Sequence, residues 1–234
     1  SREELEGLAE TVHYQEWIAD QFYPYLHGRI MEIGAGIGTM AKRWLAHADD
    51  LHLVEPAKNL FPILRENFCT CSNVSLHHGH LDEILSKNPS LAIKAFDVVI
   101  MVNVLEHIED DSRVLDLIHR MLRPGGHLLI FVPAMPALYG SLDKKFGHYR
   151  RYTRAGLVAA CGKAGYGITC SRYFDVFGII PWWLINRILR SSTLNSRMAR
   201  LYDRVVVPFA RYAEKVITPP FGKNLVLVAQ RQGK

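Results

Sequence analysis

The segment Met31-Glu32-Ile33-Gly34-Ala35-Gly36-Ile37-Gly38-Thr39 follows a short apolar run and precedes a helical pattern. Glycines at such a strand-to-helix turn allow positive φ angles and let a ligand approach the backbone closely. The spacing is GxGxG and the sixth position is Thr39, so the segment differs from the dinucleotide-binding fingerprint. Glu32 places a carboxylate two residues before the first glycine, where it repels a pyrophosphate and attracts a cation. The segment therefore predicts a site for a positively charged ligand.

Short apolar runs alternate with helical patterns around this turn. The runs are 29–33, 51–55, 74–78, 96–102 and 127–132, and the helical patterns between them are 40–46, 58–67, 81–85 and 111–122. Strands separated by helices form right-handed crossovers and a parallel sheet with helices on both faces. Two later strands, at 168–174 and 224–230, complete a predicted seven-stranded, mostly parallel sheet. The fold class expected is therefore α/β and doubly wound.

Charge is distributed unevenly along the 234 residues. Up to Tyr149 there are 13 basic and 20 acidic residues, and after it there are 15 basic and 3 acidic, which gives −7 and +12. The basic part predicts an anionic partner, either nucleic acid, a membrane surface or an acidic substrate. No recognised nucleic-acid reader motif is present, so we do not expect nucleic acid.

The chain is expected to be cytoplasmic. Its four cysteines form no CxxC pair, its first twenty residues are acidic, and no apolar run reaches the length that a spanning helix needs. Aromatic and aliphatic residues stand beside arginines in 176–211. This segment could therefore contact the inner face of the membrane, or it could form a homodimer interface.

Three segments carry a resemblance to a known family. In order, they are 31–39, Phe96-Asp97-Val98-Val99-Ile100-Met101-Val102-Asn103-Val104-Leu105-Glu106-His107-Ile108, and Arg123-Pro124-Gly125-Gly126-His127-Leu128. Together they resemble the class I S-adenosylmethionine-dependent methyltransferases over about residues 28–132. The resemblance implies a Rossmann-like methyltransferase fold and S-adenosyl-L-methionine as cofactor.

The same resemblance implies which residues contact the cofactor. Glu32, Gly34, Ala35 and Gly36 are expected at the methionine moiety, Glu55 at the ribose, Pro56 beside the adenine, and Asn103 and Val104 near the methionine end. Many relatives carry an acid after the third strand, where this chain has His80 and Leu81, so either His80, the Leu81 backbone or Asp82 would contact the adenine. Tyr14 and Trp17 would lie over the cofactor, with anchoring of the N-terminal helix as the alternative for Trp17.

The predicted single domain, 1–234, has four parts: an N-terminal cap helix (1–27), a cofactor-binding core (28–132), an acceptor loop (133–153) and an insertion serving as lid or interface (175–220). The loop contains Gly147-His148-Tyr149-Arg150-Arg151-Tyr152-Thr153, which resembles a bacterial subgroup of these enzymes. The candidate catalytic residues are His148, His107 and Tyr149, with either histidine as base. Tyr139, Arg150, Arg151 and Tyr152 are expected to bind the acceptor, or else the arginines neutralise Asp143 and neighbouring acids while the tyrosines pack.

No metal is expected. Cys69, Cys71, His77, His78 and His80 are potential zinc ligands, but adjacent residues of a strand face opposite ways, which argues against a shared site for His77 and His78.

The function expected is transfer of the methyl group to oxygen or nitrogen of a small-molecule, glycan, lipid-linked or peptide acceptor carrying negative charge. The alternatives are a nicotinamide-dependent oxidoreductase and a docking module that binds cofactor without turnover. Neutralising Arg187, Arg190 and Arg197 together is expected to weaken acceptor use and leave cofactor binding intact.

Overall fold

A computed structural model of the protein describes residues 11–188 and 196–233 and contains a seven-stranded sheet. Its strands are β1 (Arg29–Ile33), β2 (Asp50–Glu55), β3 (Val74–His78), β4 (Phe96–Val102), β5 (Leu122–Pro133), β6 (Tyr166–Phe174) and β7 (Asn224–Arg231). Their spatial order is β3-β2-β1-β4-β5-β7-β6. The first five strands are parallel, and β7 lies antiparallel between β5 and β6. The predicted mostly parallel sheet, with the two late strands at one edge, is confirmed.

Helices cover both faces of the sheet. They are α1 (Val12–Asp20), α2 (Ala41–Trp44), α3 (Phe61–Phe68), α4 (Leu81–Lys87), α5 (Asp111–Met121), α6 (Ser141–Phe146), α7 (Arg154–Lys163), α8 (Ile179–Trp183), α9 (Ser196–Leu201) and α10 (Val207–Val216). One apolar core packs α4, α5 and α7 against the sheet, and a second packs α1, α2, α3 and α10 against the opposite face. Alternate residues of a strand enter the two cores, as Ile30 and Met31 do.

The start of the fifth strand differs from the sequence-based expectation of 127–132. The Arg123-Pro124-Gly125-Gly126 segment lies inside β5, because the chain becomes extended at Leu122 and pairs there with Phe96. Residues 1–10, which include part of the expected cap helix, lie outside the described residues. Two of the three arginines expected to serve acceptor use are affected in the same way, because Arg190 and the side chain of Arg187 also lie outside the described residues.

The insertion before β7 holds the N-terminal helix in position. Its described part contains α8, α9 and α10, with π-helical turns at Leu184–Ile188 and Tyr202–Val206. Asp203 in the second turn accepts hydrogen bonds from the backbone N–H groups of His13 (3.2 Å) and Tyr14 (2.8 Å). Since the first N–H groups of a helix have no partner within the helix, Asp203 caps α1 from a distant part of the chain. Of the helices described, none combines the length and apolar character needed to cross a bilayer.

Candidate active site

A cavity of about 480 Å³ lies at the carboxyl ends of the central strands. This is where open α/β sheets bind ligands, and the volume falls in the usual range for small-molecule sites. Its wall combines α1, the glycine-rich turn, the segment after β4, the acceptor loop and the insertion. Its polar and charged side chains are Thr11, Tyr14, Gln15, Glu32, Thr39, Asn103, Glu106, His107, His148, Arg151, Lys223 and Asn224.

The glycine-rich turn presents backbone to this cavity. Gly34 and Gly36 have φ angles of 74° and 59°, the left-handed region that favours glycine. A Cβ atom on Gly34 would lie 2.4 Å from Val104 Cγ2, so Val104 packs behind the turn and does not line the cavity. A Cβ atom on Gly36 would meet no atom of the described residues within 4 Å. The turn is therefore closed on one side by packing and open on the ligand side.

Glu32 is a buried carboxyl in the cavity wall. It is 2% exposed, and its Oε2 atom has no hydrogen-bond partner among the described residues. Burial raises the pKa of Glu32 to about 8, and the charge of Glu55 adds to the increase. A cation bound beside Glu32 would favour the ionised carboxylate. The site therefore fits a sulfonium cofactor such as S-adenosylmethionine.

Glu55 lies behind the turn and braces it. Its two oxygens accept hydrogen bonds from the backbone N–H groups of Gly36 and Ala57, both at 2.7 Å. Each oxygen keeps a further lone pair, which leaves the expected ribose contact chemically available. Pro56, His80 and Leu81 do not line the cavity. The adenine contacts expected from the resemblance therefore remain predictions.

Asn103 directly follows β4 at the cavity and adopts a φ angle of 53°. Its N–H donates to the carbonyl of Phe131 at 2.8 Å, which ties this turn to β5. Left-handed backbone in a residue other than glycine is uncommon, and asparagine tolerates it better than most. The conformation orients the chain so that Glu106 and His107, a few residues later, also reach the cavity.

Of the two aromatic residues predicted over the cofactor, Tyr14 lines the cavity and Trp17 does not. Trp17 is 2% exposed and packs on Phe174, with ring centroids 3.9 Å apart, which matches the anchoring alternative. The Tyr14 hydroxyl donates to buried Asp175 at 3.0 Å, and Lys223 Nζ lies 2.9 Å from the same carboxylate. Burial, followed by the charge of Asp175, raises the pKa of Tyr14, so Tyr14 is a neutral donor.

Three titratable side chains meet in the wall of the cavity. Glu106, His107 and His148 each offer a ligand atom, and these atoms lie within 4.8 Å of one another. Glu106 is fully buried, and burial raises its pKa to about 8. Partial burial and the neighbouring His148 lower the pKa of His107 to about 4, so His107 is neutral at pH 7.

Asp143 orients His148. Its Oδ1 atom lies 3.0 Å from His148 Nδ1 and accepts from Arg151 Nε at 2.8 Å, and its Oδ2 atom accepts from Asn186 Nδ2 at 2.8 Å. The carboxylate is fully buried and these partners keep its pKa low, against the opposing effect of burial. An ionised Asp143 holds a proton on Nδ1 and leaves Nε2 facing the cavity as the free basic nitrogen.

The remaining residues predicted to bind the acceptor have protein partners. Arg150 pairs with Asp111 at 3.0 Å, Arg151 pairs with Asp143 although it reaches the cavity wall, and the buried Tyr152 donates to Asp111 at 2.8 Å. These contacts match the alternative in which the arginines neutralise nearby acids and the tyrosine packs.

Two tyrosines of the loop stabilise its backbone. Tyr139 donates to the carbonyl of His148 at 2.7 Å. Tyr149 is 54% exposed with its side chain outside the cavity wall, and its N–H donates to the carbonyl of Glu106 at 2.8 Å.

Sequence reasoning assigned no role to Glu106, Lys223 or Trp182, all of which line the cavity. Glu106 stands beside His107, four residues after the end of β4, and that position was the available signal. Trp182 belongs to the insertion, and Lys223 belongs to the turn before β7. No local pattern shows that this part of the chain returns to the site.

A family model described as a methyltransferase domain matches residues 31–128. Among curated proteins, a ubiquinone biosynthesis O-methyltransferase of Aeromonas salmonicida is 26% identical over 134 residues, covering 54% of each chain. A highly reducing polyketide synthase of Emericella nidulans is 24% identical over 128 residues, covering 50% of this chain and 5% of its own. The chain thus spans about half, or less, of the length of the curated relatives it matches.

Solved structures share the whole fold. An S-adenosylmethionine-dependent methyltransferase of Thermotoga maritima superposes with a TM-score of 0.65 at 18% identity, covering 99% of this chain and 95% of its own. One from Mesorhizobium loti gives 0.60 at 16% identity, covering 89% and 93%. These similarities agree with three features of the structure, which are the glycine-rich turn, the buried Glu32 and the order of the strands in the sheet. Residues 31–128 therefore match a methyltransferase domain, and the whole fold is that of solved S-adenosylmethionine-dependent methyltransferases.

Proposed function

We propose that the protein transfers the methyl group of S-adenosylmethionine to a hydroxyl oxygen of a small-molecule acceptor. The observation that carries this proposal is the Asp143–His148 pair, which turns a basic nitrogen into the cavity beside Glu106. The Aeromonas salmonicida relative is an O-methyltransferase, which supports oxygen as the acceptor atom.

The cofactor supplies a methyl group on a positively charged sulfur. The glycine turn and Glu32 would hold its methionine end, and Asn103 would direct that end toward the acceptor side. His148 Nε2 would take the acceptor proton as the oxygen attacks the methyl carbon, and the electron pair of the carbon–sulfur bond would pass to sulfur. Holding the reacting atoms in line at about 3 Å accounts for much of the rate increase in such reactions.

The described residues that line the cavity carry no excess of positive charge. Arg151 and Lys223 are each paired with an acid, and Glu32 and Glu106 add carboxyl groups. A negative charge on the acceptor would therefore lie outside the cavity, against the basic surface of the insertion. Glycan, lipid-linked and peptide acceptors remain compatible with this arrangement through their exposed parts.

The insertion offers a surface for such contact. Met198, Leu201, Val205, Phe209, Tyr212 and Val216 are each more than half exposed and follow one another at intervals of three or four residues. Arg204 is exposed beside them. We propose that this apolar stripe lies on an anionic lipid surface, since the +12 charge of the C-terminal part would repel a second copy of the chain.

Incubation with methyl-labelled S-adenosylmethionine and fractionated extracts tests the function. We expect the labelled methyl group in the fraction that contains small molecules with hydroxyl groups. Tight cofactor binding with no transfer to any fraction would favour the docking module instead.

A further inference from the structure

The carboxylate of Glu106 occupies an unusual position for an acid. It is 0% exposed, it lines the cavity, and neither of its oxygens has a hydrogen-bond partner among the described residues. Buried carboxylates without a partner are costly, and they occur where a ligand or ion completes the site. The two unpaired oxygens of Glu106 therefore indicate that a positively charged group or ion binds beside them.

One of the two histidines beside it, His148, is arranged as metal ligands usually are. It uses Nδ1 for Asp143 and leaves Nε2 at 4.0 Å from Glu106 Oε1. The imidazoles of His107 and His148 lie edge to face with centroids 4.6 Å apart. A ligating histidine commonly donates its other ring N–H to a carboxylate or a carbonyl, which sets the tautomer.

We infer that Glu106, His107 and His148 bind a divalent transition-metal ion of the Mn²⁺ to Zn²⁺ series. Two imidazoles and one carboxylate suit such an ion better than Mg²⁺ or Ca²⁺, which prefer oxygen ligands. Ligand atoms around one ion at about 2.1 Å lie roughly 3–3.6 Å apart. The three ligand atoms now lie within 4.8 Å of one another, and side-chain movements of about 1 Å would bring them to that spacing.

The ion would have a role in the proposed O-methylation, and this second part of the inference rests on that function. Three protein ligands leave a position open toward the cavity, where the acceptor hydroxyl can bind. The metal would lower the pKa of that hydroxyl, its proton would pass to solvent, and the metal-bound oxygen would attack the methyl carbon. His148 would then act as a ligand, and would serve as base only in the metal-free enzyme.

Titration of chelator-treated protein with Co²⁺ and Zn²⁺, without cofactor or acceptor, tests the site. We expect one ion per chain, visible absorption from bound Co²⁺, and at least a roughly tenfold loss of affinity in Glu106→Gln and His148→Ala. His77→Ala is the matched control, because it alters the separate His52–His77 pair and should leave binding unchanged.

Paramagnetic broadening by Co²⁺ of the imidazole signals of His107 and His148 in the wild-type protein gives a readout that does not depend on the variants folding. Absence of binding, or binding lost only in His77→Ala, would overturn the inference. Methyl transfer that is no faster with metal than without it would overturn the catalytic role of the ion and leave the proposed function standing. Metal binding without any methyl transfer would do the opposite.

Discussion

Nδ1 of His148 lies 3.0 Å from Oδ1 of Asp143, and this contact orients the only ring nitrogen of His148 left to face Glu106. The same carboxylate holds Arg151 and Asn186, so the orientation of the histidine depends on a buried network built from the acceptor loop and the insertion. Asp143 therefore orients the proposed base and also connects the acceptor loop to the insertion.

Replacing His148 should impair chemistry and spare cofactor binding. His148→Ala removes the proposed base, and we expect transfer to fall by roughly 10²–10⁴-fold. The dissociation constant for S-adenosylmethionine, measured by calorimetry, should stay within about twofold of wild type. Lys144→Ala, an exposed neighbour on α6, is the control. A proportional loss of cofactor affinity in His148→Ala would show that the residue serves the cofactor site instead.

Glu32→Gln should weaken cofactor binding and stabilise the free protein. Losing a charged contact costs about 1.5–3 kcal/mol, or roughly ten- to a hundredfold in Kd. Because the pKa of Glu32 is about 8 in the folded protein and 4.5 ordinarily, the folded state binds more protons between these values. Stability of the ligand-free wild type should therefore fall as pH rises from about 5 to 8.

Urea unfolding at pH 5 and pH 8 measures this effect, and Glu32→Gln should reduce the difference. Cofactor affinity of the wild type should rise over the same interval, since binding favours the ionised carboxylate and releases a proton. Calorimetry in buffers with different ionisation enthalpies detects that proton. A pH dependence that is unchanged in the variant would assign the effect to another group, such as Glu106.

Arg151 and Arg150 should differ in their effect on stability. Arg151→Met leaves the fully buried Asp143 without its cation, and we expect a loss of about 3–5 kcal/mol in the free energy of unfolding. Arg150→Met removes a partly exposed pair with Asp111 and should cost under about 1 kcal/mol. If Arg151→Met lowered acceptor use without lowering stability, the arginine would be an acceptor ligand, as the sequence pattern indicated.

Asp203→Ala should loosen α1. It removes the acceptor for two backbone N–H groups, which is worth about 1–2 kcal/mol at a helix start. Hydrogen exchange at His13 and Tyr14 should accelerate, and cofactor should dissociate faster because Tyr14 lines the cavity. Arg204→Ala, the exposed next residue, should change neither rate. Equal acceleration throughout the sheet would indicate global destabilisation.

The exposed apolar stripe should mediate binding to anionic vesicles. We expect co-sedimentation with vesicles containing phosphatidylserine, reduced by salt and by the double variant Phe209→Ser/Val216→Ser. Neutral vesicles are the control. A dimer in solution that dissociates in the same variant, without vesicle binding, would assign the stripe to self-association.

The sheet could be predicted from the sequence because its determinants are local. The alternation of apolar runs and helical patterns located all seven strands, and the bounds of Arg29–Ile33, Val74–His78 and Phe96–Val102 agree with the structure. The glycine-rich turn and Glu32 could also be predicted, because the glycine spacing and the position of the carboxylate lie within one short segment and indicate a site for a cationic ligand.

The acceptor side could not be predicted to the same degree because its contacts join distant parts of the chain. Whether Arg151 meets an acceptor or Asp143 depends on how the loop folds against Asn186 of the insertion. The approach of His148 to Glu106 has the same origin. Trp17 shows a related limit, since a helical apolar residue can face either a cavity or the core.

The most direct test of the account is the identity of the atom that receives the methyl group. The protein should be incubated with ¹³C-methyl S-adenosylmethionine and a fractionated extract, and the labelled product examined by NMR. The account predicts a methoxy carbon in the wild-type product, strongly reduced with His148→Ala. Label on nitrogen or carbon, or equal transfer by His148→Ala, would contradict it.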